Sequence, residues 1–197
     1  LLIWDEINAN TTNLQNALIA AGFNVTMSVT SETAYDGTNP PLSGFDAVIH
    51  LNGTTFLTAM PIAGQNALVD YVVNQGKTYI TDEWSSYEVD AAGSMIAMSE
   101  IIILNRTGGY TGSITYDVVP AQIGHPIMSG IPATFTLPFG GSNVGSARIY
   151  SGNQPIVLMT SPGAGDAVAV RDFPNGGHAI GFAHAGNFDG YSILSDI

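Results

Sequence analysis

The 197-residue chain carries sixteen acidic and only four basic side chains, a formal net charge of −12, and no cysteine. That balance repels phosphate backbones and anionic lipid, so nucleic acid is not an expected partner, and the missing thiol excludes disulfides, thiolate metal sites and cysteine catalysis. With 45% hydrophobic residues, one sizeable core is expected, a single domain over residues 1–197, and no apolar run is long enough for a membrane span.

LLIWD reads as a short buried strand. Thr11 or Thr12 is placed to cap a helix carrying Leu14, Ala17, Leu18 and Ala21 at helical spacing, and Gly22 suits its end. FNVTMSV puts Phe23, Val25, Met27 and Val29 on one face, which predicts a strand and closes a β-α-β unit. After the polar loop SETAYDGTNPPLSG, FDAVIHL predicts another strand. Pro61 then opens a helix with Leu68, Val69, Val72 and Val73, Gly76 stops it, and KTYITD predicts the next strand. This alternation predicts an α/β fold with a mainly parallel, doubly wound (flavodoxin-like) sheet and helices on both faces. Functional groups in such folds gather at the C-terminal ends of the strands.

The second half changes character. MIAMSEIIIL predicts a helix, and GSITYDVV, ATFTLP, ARIYS, PIVLMTS, DAVAVRDF and HAIGFAHA predict short strands, several of them antiparallel additions at one sheet edge. Gly140-Gly141 and Gly163-Ala164-Gly165 lack phosphate-loop spacing and read as hairpin turns. The chain opens on a strand without Met, and GYSILSDI reads as a helix just beginning, so the segment is expected to be part of a longer chain.

Two predicted strands end alike, in Trp4-Asp5-Glu6 and in Thr81-Asp82-Glu83-Trp84, and the doubly wound sheet would bring both acidic pairs to one edge. His50 ends a third strand there, and His184, Asn187 and Asp189 of HAGNFDG are expected to join them. Asp5, Glu6, Trp84, His50, Asn187 and Asp189 are therefore candidate ligand-binding residues, and Glu83, Asp82 and His184 candidate catalytic ones. No cofactor is required, but the oxygen donors Asp5, Asp82 and Asp189 suit Ca²⁺ or Mg²⁺. A simpler assignment competes: Asp5 and Asp82 cap helices while Glu6 and Glu83 face solvent. Trp84, Tyr87 and Trp4 can stack on a sugar ring or pack on the helix layer. His125 and His178 read as structural. The GxSxG pattern is absent around Ser85 and Ser86. Sequons at Asn10, Asn24, Asn52 and Asn105 are candidate glycosylation sites, and with the lysine-poor, acidic composition they fit an exported or cell-surface microbial protein.

The order of elements, with GFDAVIHL, a helix ending QGK, a strand into a sharp turn, HPIMSGIP, PIVLMTS and GGHAIGFAHAGN, resembles the class I glutamine amidotransferase-like fold, within it the trehalose-utilisation (ThuA-like) branch. The resemblance places Glu83 at the position of the nucleophilic cysteine and His184 at that of the catalytic histidine, with Gly186 where the triad acid would stand. A carboxylate cannot form the thioester that glutamine hydrolysis needs, so the chain is not expected to be a functional glutamine amidotransferase. Two functions remain open. One is a non-catalytic module acting in binding or assembly, with other domains of its polypeptide, identical copies in a homo-oligomer or filament, or carbohydrate as partners. The alternative is a hydrolase or sugar-processing enzyme using the carboxylate and histidine site.

Overall fold

The computed structural model describes residues 1–53, 55–111, 113–137, 141–162 and 165–183. Strands β1 (Leu2–Ile3), β2 (Ala47–His50), β3 (Thr78–Thr81) and β10 (His178–Phe182) form a parallel block in that order. From β10 the sheet continues antiparallel through β9 (Gly165–Asp172), β8 (Ile156–Ser161), β5 (Ile114–Val118) and β6 (Thr134–Leu137). A β4 (Leu104–Thr111) and β7 (Gly141–Ala147) pair joins through β9. The sheet is therefore mixed, not mainly parallel. Connections without a crossover helix follow after residue 100, and short links of that kind dictate antiparallel neighbours.

Strand register separates the two faces of the parallel block. Leu2, Ile49 and Ile80 align on one face, where α1 (Ala9–Ala20) adds Leu14 and Leu18. Ile3, Val48 and Tyr79 lie on the other, under Leu68, Tyr71 and Val72 of α2 (Ile62–Val73). Helices thus cover both faces, as expected.

Four local expectations fail for identifiable reasons. The cap of α1 is Asn8, whose side chain accepts from the N–H groups of Asn10 and Thr11 at 2.9 and 3.0 Å; the Thr11 hydroxyl is diverted to Glu6 O at 2.8 Å. Residues 23–29 make one parallel bridge, Met27 to Leu2, because β1 offers only two residues for pairing; Phe23 and Val29 are left exposed. MIAMSEIIIL forms only a short turn at Ile96–Met98 before extending into β4, and Ile101, Ile102 and Ile103 are buried completely. Three consecutive β-branched residues favour extended backbone, and a core on every side removes the polar face a surface helix needs. ARIYS also misses the ladder. β7 ends at Ala147, the Arg148 guanidinium pairs with Asp90 at 2.6 Å, and the Tyr150 ring stacks under Arg171.

Gly64, within α2, is a position where a larger residue has no room: a Cβ there would collide with the Tyr35 carbonyl oxygen and crowd Met60. Alanine in a helix interior ordinarily gains about 1 kcal/mol over glycine. Here the sign reverses, and Gly64→Ala is expected to lower stability in urea titration by about 1–3 kcal/mol. Gly44→Ala, facing open space, stays within about 0.5 kcal/mol of the parent.

Candidate functional site

The C-terminal edge of β1, β2 and β3 ends in polar side chains that are almost entirely shut off from solvent. Asp5, Glu32, His50, Asn52, Asp82, Glu83 and Glu88 are each no more than 3% exposed. Burying an ionised carboxylate alone costs several kcal/mol, so the partners of these groups decide their charge.

His50 is the last residue of β2 and faces the α2 side of the sheet, with Tyr79 on the adjacent strand. Its Nδ1 lies 2.7 Å from the Tyr79 hydroxyl and its Nε2 3.4 Å from Glu32 Oε2. The other Glu32 oxygen accepts from the Thr55 hydroxyl at 2.7 Å. Burial pushes the Tyr79 phenol well above its usual range, which keeps it a neutral hydrogen-bonding group. Thr81, one turn of the pleat further on, shares a 2.5 Å hydrogen bond with Ser85 and donates to His50 O at 3.3 Å.

Asp82 caps α3 (Glu83–Tyr87). Its Oδ1 accepts from Trp84 N–H and its Oδ2 from Asn52 N–H, both at 3.2 Å. Burial, then the charges of Asp5 and Glu83, hold its carboxyl well above the ordinary range, against these two hydrogen bonds. Asp5 and Glu83 therefore lie close enough to Asp82 for their charges to act on it. Capping and clustering coexist: Asp82 does cap a helix, Asp5 does not cap α1, and Glu83 is buried instead of facing solvent. Glu6 is half-buried and accepts from Asn8 Nδ2 at 2.8 Å, supporting the α1 cap.

After α3 the chain makes a wide turn of i→i+5 hydrogen bonding, Glu88–Ala92, ending at Gly93 with φ 66°. Such turns occur often at functional sites. Here it buries the Glu88 carboxyl, which Ser94 Oγ contacts. Burial, then the charge of Glu32, pushes Glu88 up to about 7, with the Asn52 amide beside it favouring ionisation.

Trp84 packs against Phe56 and Tyr87 at ring-centroid distances of 4.4 and 5.5 Å, the helix-layer role, and Trp4 Nε1 donates to Ser28 O at 2.8 Å. His178 pairs with Asp172 at the exposed start of β10, and His125 accepts from Ile127 N–H, both structural as read. His184, Asn187 and Asp189 lie outside the described residues. Asp5 and Asp82 thus meet without Asp189 on view, and among the described residues no group of three or more His, Cys, Asp or Glu is arranged to hold a metal ion. Asn52 is a correction: complete burial excludes a glycan in the folded chain, whereas Asn24 is exposed and Asn10 and Asn105 are half-buried.

Sequence reasoning missed Glu32, Tyr79 and Glu88. Glu32 stands in a polar loop with no periodicity, and Tyr79 and Glu88 carry no motif; only the alternation of KTYITD, which puts Tyr79 on the face of Thr81, gave any signal.

Fold and site together define a class: an α/β domain with a mixed sheet in which the strand-to-helix turn after β3 carries a buried Asp82-Glu83 pair. A ThuA-like protein from Bacteroides uniformis is similar in structure at 15% identity and TM-score 0.65, over 98% of this chain and 85% of that one. A ThuA-like protein from Parabacteroides merdae matches at 14% identity and TM-score 0.61, over 92% of this chain and 77% of that one. The exo-β-1,4-mannosidase Op5Man5 from Opitutaceae bacterium strain TAV5 matches at 13% identity and TM-score 0.55, over 95% of this chain but 27% of its own. At these identities the likeness establishes the fold. No protein-family model and no curated protein sequence matches the chain.

The raised Glu88 carboxyl sets a pH dependence. Its folded value of about 7 lies above the unfolded 4.5, so the folded state holds a proton that the unfolded chain releases in between. Stability therefore falls as pH rises from about 4.5 to about 7 and levels off beyond. Urea titrations at pH 5 and pH 8 are expected to show this loss, and Glu88→Gln to reduce it; an unchanged slope in that variant would assign the effect elsewhere.

Proposed function

We propose that the chain is a non-catalytic amidotransferase-like module of an exported or cell-surface microbial protein, acting in binding or assembly. One observation carries this reading: the turn that presents the nucleophile in the amidotransferase-like fold holds a buried Glu83, behind an Asp82 engaged by two backbone N–H groups, in a chain without cysteine. A group 3% exposed is poorly placed to attack a substrate, whereas the shape of the edge is kept by its hydrogen bonds. The acidic, lysine-poor composition and the accessible Asn24 sequon support export, and the match to 27% of a longer glycosidase supports service as one part of a larger polypeptide. Other domains of that polypeptide or identical copies are the proposed partners, with carbohydrate as a further ligand.

The second reading, a hydrolase or sugar-processing enzyme, is favoured by the raised Asp82 carboxyl beside Asp5 and Glu83, since a proton-holding acid next to a carboxylate is the pairing that cleaves glycosidic bonds. Purified protein is expected to release no ammonia from glutamine above a buffer blank, and to turn over no aryl glycoside or ester in a panel. Hydrolysis that disappears in Asp82→Asn or His184→Ala would replace the module reading with the enzymatic one.

The module needs no cofactor. If Asp5, Asp82 and Asp189 share a Ca²⁺ or Mg²⁺ ion, calorimetry will show a rise in Tm with the added ion, about 2.7 kcal/mol of stabilisation at a hundredfold excess over Kd, and none in Asp82→Asn.

A further inference from the structure

Between Glu6 and Glu32 the chain carries no Asp, Glu, Lys, Arg or His, the longest stretch of that kind in a sequence of net charge −12. It contains α1 and the segment 23–29, whose Val25 and Met27 pack with Leu14 and Leu18 of that helix. The same stretch leaves large apolar side chains in solvent: Ile7, Ile19, Phe23 and Val29 are each at least 50% exposed.

Its backbone is open as well. Leu2 N–H donates to Thr26 O and Ser28 N–H donates to Leu2 O, both at 2.9 Å, around the parallel bridge between Leu2 and Met27. Residues 26 and 28 therefore turn their backbone groups toward β1, and the alternation of extended chain turns those of Val25 and Met27 outward. Among the described residues no hydrogen bond engages the N–H or C=O of Val25 or Met27. The open stretch closes at Val29, whose N–H donates to Asn39 O at 3.1 Å. Sheet edges are ordinarily guarded by Lys, Pro or a bulge, and GFNVTMSV contains neither Lys nor Pro. The opposite edge, β6, differs: its Thr134 hydroxyl donates to the exposed Asp117 carboxylate at 2.8 Å, which keeps a negative charge there.

Charge selects the occupant. A cationic partner is drawn to the acidic remainder of the chain and gains nothing from an uncharged wall. Two copies of the chain repel each other, and the repulsion is least where neither carries a charge. We propose that this edge pairs with the same edge of a second copy, antiparallel about a two-fold axis at Thr26. Val25 then exchanges both backbone hydrogen bonds with the partner's Met27, and Met27 with the partner's Val25. The two sheets become one, and the α1 helices of both copies lie on the same face with Ile19 and Phe23 at the seam. The interface deepens the module reading and rests on it for the choice of an identical copy as partner.

The test is sedimentation of the unaltered, unglycosylated chain over a range of concentrations, with hydrogen exchange read at single amides. The expected result is a monomer–dimer equilibrium in which the Val25 and Met27 N–H groups gain protection as dimer forms. Thr26 is exposed, and its side chain meets its own copy across the axis. Thr26→Lys and Thr26→Glu leave the bonds to β1 in place and are each expected to weaken dimerisation by about tenfold or more, while their equimolar mixture restores it as a heterodimer. A strict monomer at every concentration, a dimer that both variants leave intact, protection at Val25 and Met27 that ignores concentration, or a ladder of growing oligomers from pairing of this edge with β6 overturns the proposal. So does a glycan on Asn24 of the native protein, because that exposed side chain stands on the same edge. Sedimentation of the unaltered chain needs no variant to fold. A monomer inert toward glutamine, glycosides and esters loses this interface alone; a dimer of this kind that hydrolyses a glycoside loses the module reading and keeps the interface.

Discussion

The burial of polar side chains at the ends of β1, β2 and β3 is the constraint on which the rest of the molecule turns. Once Asp5, His50 and Asp82 are closed off from water, the segments leaving that edge must supply partners. The Thr55 hydroxyl, the Glu32 carboxylate and the Asn52 N–H meet that demand. His50 is the hub, because its two ring nitrogens face opposite ways, one to the sheet through Tyr79 and one to the loop through Glu32. Losing either partner leaves a buried imidazole nitrogen unpaired, a cost of about 1–3 kcal/mol.

The same constraint explains why the turn after β3 carries a buried carboxylate. A nucleophile needs an exposed, activated atom at the turn after β3, but the turn itself needs only a cap. Asp82 provides the cap and, through its second oxygen, ties β3 to the loop after β2. A carboxylate at this turn thus maintains the architecture, while burial raises its pKa above that of an ordinary surface acid. The wide turn at Glu88–Ala92 extends the same logic, folding one more carboxylate inward and stacking Arg106 on the preceding Tyr87.

The antiparallel half is held by different means. Arg171, 5% exposed, lies 3.6 Å over the Tyr150 ring and 4.7 Å from that of Phe173, and donates to Glu100 O and Asn153 O. A basic residue is spent in the interior of a chain that has four, which is why the surface remains so acidic.

The sequence by itself determined the parallel block, α1 and α2, the β8 to β10 strands, the arrival of Asp5, Asp82 and His50 at one edge, and the absence of thiol chemistry. These are properties of local periodicity and composition: alternation specifies strands, helical spacing specifies faces, and a doubly wound order specifies the edge at which strands end. Tertiary structure alone decided that residues 23–29 pair through a single bridge, that MIAMSEIIIL makes only a short turn before β4, and that the sheet is mixed. It also decided that Glu32 and Glu88 join the site and that Asn52 is sealed inside it. None of these has a local signature, because pairing depends on how much strand the neighbour offers, and the burial of a lone acid depends on which distant segments close over it.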